Sequence, residues 1–289
     1  MKKILAKIFM LTAMLSLPLG AQAFKLNLDL DKLKGMGEKV KALREPSEAD
    51  EIELGKGISA NLLGASPLVN DPELQNYVNR VGKWIALHCD RPNLPWHFGV
   101  LEDDDINAFA TPGGYILITR GMVMRMRDEA ELAGVLAHEI THVVEKHALN
   151  TMKKGALVGL GGDVLSTYAE NKGKESYSKV VGAGTELYTR GLDKEDEYAA
   201  DRAGVVLAAR AGYDPYGLPS VLQTLASINP KDGAVALMFK THPDTGERLQ
   251  LVTDAMEGKL DKFADQPRVE SRFAQIMRAH VARYHPKPK

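Results

Sequence analysis

Residues 132–147 read LAGVLAHEITHVVEKH, and the rest of the chain is understood once this stretch is. Leu132, Val135, Leu136 and Val143 recur at helical spacing and supply apolar surface around the two histidines. On a helix His138 and His142 are four residues apart, so they share one face, one turn from each other. Their imidazoles can hold a single metal ion from two corners of a tetrahedron. Glu139 is rotated off the ion but stays within reach of a water bound to it. Zinc lowers the pKa of such a water to about 7, so a nearby carboxylate can take its proton and return it to a leaving nitrogen. An HExxH pattern also arises by accident, so alone it is moderate support. Its apolar flanks strengthen it, because two histidines and a glutamate on a buried helix need a polar or metallic reason to be there.

Two histidines leave a catalytic zinc one protein ligand short. His147 follows His142 by five residues. The metzincin arrangement needs six, with a glycine that breaks the helix, and HVVEKH has neither. His147 is therefore placed behind the ligands or on the surface. The better source is DKEDEYAADRAG, residues 193–204, an acid-rich helix start. Glu197 and Asp201 lie four apart on one face, flanked by Ala199, Ala200 and Ala203, which marks that face as closely packed. Glu197 can complete the zinc site. Asp201 can accept the free N–H of a ligand histidine and so fix its tautomer. Glu195 and Asp196 fit a solvated acidic face.

The chain has 289 residues and a formal charge of −1. Its first 23 residues place Lys2, Lys3 and Lys7 before an apolar run from Ile8 to Leu19, then Ala21-Gln22-Ala23, the pattern of a cleavable secretory signal peptide. The run is shorter than the roughly 20 residues of a spanning helix. A periplasmic location follows as an expectation, with 24–46 as an N-terminal arm and 47–289 as one domain. The near-neutral to acidic balance argues against nucleic acid as a partner. Cys89 is the single cysteine, which rules out an intrachain disulfide and is read as a buried small apolar residue.

Helices are expected from Ser47, over the segment opened by Asp71-Pro72, from about Asp128 to Leu149, from Lys194 to Ala211, after GYDP, after THPD and at the C-terminus. Leu74, Val78, Val81 and Ile85 should face the core. WHFGVL and YILITR are short β-rich runs, and Pro112-Gly113-Gly114 is turn chemistry. The fold class is α+β, mostly helical, with a small sheet beside the HEITH helix.

HEITH followed some 55 residues later by ExxxD on a second helix resembles the glutamate-type zincins (gluzincins). In detail it resembles the M48 family of metallopeptidases, which includes the CAAX prenyl proteases and HtpX-like proteases. NAFATPGGYILITRGMV is similar to that family's edge strand, AHEITHVVEKH to its active-site helix, EDEYAADRAG to its third-ligand helix and THPDTGERL to its downstream His-Pro element. The resemblance runs in order from about residue 50 to 255. It implies a zinc endopeptidase with His138, His142 and Glu197 as ligands and Glu139 as base. It further implies a periplasmic quality-control role on misfolded or stalled outer-membrane and periplasmic polypeptides. No 34-residue period follows GYDP, so the tetratricopeptide module of some relatives is not expected.

Within this frame NAFAT should offer a substrate edge, with Asn107 and Ala108 flanking a peptide bound as an added strand. His242, held extended by Pro243, can stabilise an oxyanion or close the site as a fourth ligand. Arg248 can serve the oxyanion or clamp substrate, and Tyr198 is a weaker candidate. Residues 155–192 have two readings. One is a lid that touches apolar substrate segments or the membrane surface, and the other is a helical hairpin packed on the core. Two rivals to the peptidase remain: a chaperone-like client binder with a latent, His-locked zinc site, and a zinc hydrolase acting on something other than peptides.

Overall fold

A computed structural model describes residues 46–157, 181–182, 184–186 and 190–284. The expected signal peptide, the 24–46 arm up to its last residue, and most of the expected lid lie outside the described residues.

Helix α1 (Glu48–Ala65) begins at a capping box. Ser47 accepts from the Asp50 N–H, and Asp50 reaches back to the Ser47 N–H. In α2 (Pro72–Ala86) Asp71 caps the Glu73 and Leu74 amides, and Pro72 takes the position where a missing N–H costs nothing. Leu74, Val78, Val81 and Ile85 are all buried. Cys89, just beyond α2, is half-buried at the edge of the main core rather than inside it.

Strands β1 (His97–Leu101), β2 (Ala108–Thr111) and β3 (Tyr115–Thr119) form a sheet of order β1-β3-β2. β1 runs parallel to β3, pairing His97 with Tyr115 through Leu101 with Thr119. β2 returns antiparallel, pairing Ala108 with Ile118 and Thr111 with Tyr115. Gly113 makes the hairpin possible. Its φ is +74°, and a Cβ there would stand 2.4 Å from the Ile52 backbone.

A short helix α3 (Arg120–Val123) leads to α4 (Glu129–Val144), which carries HEITH. Every residue from Asp128 to Val143 is buried, so the helix has no solvent face. α4 packs on α6 (Lys194–Arg210) and α7 (Gly217–Ala226), with α2 and the sheet on its other sides. A Cβ on Gly217 would meet the Ala130 carbonyl oxygen at 2.1 Å, and one on Gly204 would lie 3.1 Å from the His138 Cα. The backbones therefore approach closely on both flanks.

The expected single helix through Leu149 is two helices. Lys146 takes a left-handed φ of +58°, and α5 (His147–Leu157) starts anew. A left-handed non-glycine residue costs roughly 1–2 kcal/mol. Here Lys146 also anchors on the buried Glu51 carboxylate, Nζ to Oε1 at 2.6 Å. Downstream, α8 (Gly233–Thr241) was not anticipated from the sequence. It delivers His242, which leads through Pro243 and a left-handed Asp244 into α9 (Thr245–Met256). α10 (Glu270–Tyr284) returns to pack on α2 and α4.

Candidate metal centre

Four buried or half-buried side chains converge where α4, α6 and the His242 turn meet. One ligand atom each from His138, His142, Glu197 and His242 lies within 4.8 Å of all the others. The two HEITH imidazoles face each other through Nε2, 2.9 Å apart. Glu197, in the first turn of α6, brings Oε1 to 3.4 Å from His142 Nε2 and Oε2 to 3.6 Å from His138 Nε2. Oε2 is also held by His242 Nδ1 at 2.8 Å and Arg248 Nη1 at 3.0 Å. Oε1 is buried with no hydrogen-bond partner among the described residues. An orphaned carboxylate oxygen beside two imidazole nitrogens is costly in a dry interior unless a cation completes it. The donor set, two nitrogens and an oxygen at tetrahedral reach, fits a zinc ion.

The surroundings set the charges. Burial pushes the Glu197 carboxyl up, but His242, Arg248, His142 and His138 outweigh it and hold it well below the usual carboxylate range. Burial depresses His142 well below an ordinary histidine, and the neighbouring His138 adds to this, so the ring is neutral and its lone pair available. His138 goes the other way. Burial pushes it down, yet Asp201 and Glu197 raise it to about 9. Asp201 Oδ1 stands 3.0 Å from His138 Nδ1. Burial raises the Glu139 carboxyl above its ordinary value, with His242 and His138 opposing.

Two adjoining small hollows flank Glu139 and His242. The first is walled by Ala108, Phe109 and Ala110 of β2 together with His142 and Thr241. The second has an apolar floor from Val135, Leu218, Val221, Leu222, Leu225 and Met238, with Asn107 and His138 at its edge. The site residues expected from the sequence are thus brought together. Arg248, read as an oxyanion donor or a substrate clamp, lines the second hollow and is also tied to carboxylates. It is buried, with Nε and Nη2 each 2.7 Å from Asp201 and Nη1 on Glu197. Two carboxylates in a dry site need a counter-charge, and Arg248 supplies it while still touching the wall of the second hollow. Tyr198 is buried beside Glu197 but lines neither hollow. Sequence reasoning missed the apolar floor, whose residues read as ordinary core.

Comparison with known proteins agrees with this geometry. The profile of Peptidase family M48 matches residues 72–256, which takes in the strand, both ligand helices and the His242 turn. The chain belongs to peptidase family M48. Among its M48 relatives, the beta-barrel assembly-enhancing protease of Escherichia coli K12 is 31% identical over 209 residues, covering 70% of this chain and 43% of that protein. Metalloprotease LoiP of E. coli K12 is 31% identical over 166 residues, 56% of this chain and 63% of LoiP. The mitochondrial metalloendopeptidase OMA1 of Arabidopsis thaliana is 26% identical over 189 residues, 65% of this chain and 37% of OMA1. The match spans less than half the length of the beta-barrel assembly-enhancing protease. The mostly helical α+β fold with its small sheet and buried His/Glu cluster is the zincin-like arrangement of M48 peptidases. No helix among the described residues is long and apolar enough to cross a membrane.

Proposed function

We propose that this M48 chain is a zinc-dependent endopeptidase that hydrolyses unfolded or misassembled polypeptides of the cell envelope, working in the periplasm after removal of residues 1–23. The observation that carries the reading is the orphaned Glu197 oxygen facing two imidazole nitrogens, with Glu139 buried beside them. His138, His142 and Glu197 would hold the zinc. Bound there, it would supply a Lewis acid at the scissile carbonyl and acidify a water. Glu139 takes the proton of the attacking water and returns it to the leaving nitrogen. His242, at the wall of both hollows, donates to the developing oxyanion. Asn107 and Ala108 line the second hollow and position the peptide, while its apolar floor takes an apolar side chain. Asn107 Nδ2 is buried without a partner among the described residues, which leaves a donor for a substrate carbonyl. The envelope assignment is supported by the leader sequence and by a relative named for enhancing β-barrel assembly.

The test is cleavage of casein by residues 24–289, with metal content measured on the same sample and Glu139→Gln and a chelator as controls. About one zinc per chain, with cleavage lost in both controls, is the expected result. Zinc without cleavage favours a second reading, a client-binding protein with a latent site. His242 belongs to the four-membered ligand cluster, and a fourth protein ligand leaves no open position for water. His242→Ala then separates the two, raising activity if the histidine closes the site and lowering it if it stabilises the oxyanion. No bound metal would sink both readings.

A further inference from the structure

The left-handed Lys146 has an effect at the metal centre. Had α4 run on unbroken, His147 would sit five residues past His142, about 140° around the helix and facing away from it. The break turns it back. His147 is buried, and its Nδ1 lies 2.8 Å from His142 Nδ1. On its far side Nε2 faces Asp196 Oδ1 at 3.8 Å, within ion-pair reach of the carboxylate. The other oxygen of Asp196 is buried with no hydrogen-bond partner among the described residues.

We propose that His147 and Asp196 are positioning residues for the metal centre, forming a relay that fixes the tautomer and orientation of His142. The proton directions follow from the contacts. With His142 Nε2 turned to the other ligand atoms, its Nδ1 carries the proton and donates to His147 Nδ1. His147 then keeps its own proton on Nε2, pointed at Asp196. The two HEITH histidines are thus backed in different ways, His138 directly by Asp201 and His142 through a second imidazole. The inference rests on the metal-centre reading above. It also gives a reason for a strained residue next to the site, since strain held at such positions usually serves an arrangement the relaxed backbone cannot make.

The test is the zinc dissociation constant of the purified protein by chelator competition, alongside the melting midpoint of the metal-free chain. His147→Phe fills the space but accepts nothing from His142, and should bind zinc about 10–100-fold more weakly. His147→Gln keeps an acceptor carbonyl and should recover most of that loss, a rescue that a purely space-filling role would not produce. If His147→Phe does not fold, Asp196→Ala at the half-exposed end of the relay carries the test, with weakened zinc at an unchanged metal-free midpoint expected. Wild-type affinity in His147→Phe, or equal weakness in His147→Gln and His147→Phe, would overturn the proposal. Absence of zinc binding in the wild type would overturn the metal-centre reading itself, before any variant is compared.

Discussion

At Glu139 burial raises the carboxyl pKa while His242 and His138 lower it, a balance that suits a group that must take up a proton and then give it back. Glu139→Gln keeps the shape and removes the base. It should retain zinc and fold while losing about 10²–10⁴-fold in kcat, read from a peptide cleavage assay. His138 sets the pH dependence of metal uptake. Its metal-free pKa is raised to about 9, and a ligand imidazole must be deprotonated on the binding nitrogen. Zinc affinity should therefore rise with pH, by roughly tenfold per unit, and level off near that value. Titrations across this range check the sign, and an affinity that falls with pH would contradict it. That His138 and His142 share one face was legible in the sequence because i, i+4 spacing on a helix is a geometric statement in itself. The Asp201 partner of Arg248 and the contact of His147 with His142 were not, because those partners lie on another element or beyond a break in the backbone.

The helices themselves were largely legible. Ser47 and Asp71 announce their helices through caps whose chemistry is local. The break at Lys146 left no sign in VVEKHALN, which has neither glycine nor proline. The cause is tertiary, namely the Glu51 anchor and the His142 contact. α8 was missed because GAVALMFKT is a short apolar run without periodicity long enough to read. How tightly the elements approach was also hidden until they were docked. Gly217 lies against the Ala130 carbonyl with no room for a methyl group. Gly217→Ala should push α7 off the active-site helix and destabilise the chain by about 1–3 kcal/mol, measured by urea unfolding. An unchanged midpoint would mean that α7 shifts freely.

Over the whole molecule, the last residues tie the ends of distant helices together. Arg268 bridges Asp128, the cap of α4, to Asp214, and its carbonyl accepts from the Ala130 N–H. Arg272 pairs with Glu129, which also accepts from Tyr77 and Tyr213. His280 and Arg283 reach Asp71, the cap of α2. All four residues lie beyond the matched family region, which ends at residue 256. Burial raises the Glu129 carboxyl, but Arg272, Tyr77 and Tyr213 outweigh it and hold it below the ordinary range. A depressed carboxyl stabilises the fold above its unfolded pKa and loses that contribution as pH falls through its folded value. Arg272→Ala should cost about 1–3 kcal/mol at pH 7, since Arg272 is itself 58% exposed and partly screened. The gap from wild type should shrink in strong acid, and a gap that widens there would refute the assignment. The contrast between the two ligand helices bears on how the centre comes apart. α4 has no solvent face, so its amides should exchange with deuterium only when the whole domain opens. Glu197 sits in the first turn of α6, behind an Asp193 that makes no side-chain cap and exposed Lys194 and Glu195. An uncapped first turn opens more readily than a buried helix interior, so the Glu197 amide should exchange earlier than those of His138 and His142. Metal loss would then begin at Glu197, at a rate set by the opening of one helical turn rather than by unfolding of the domain.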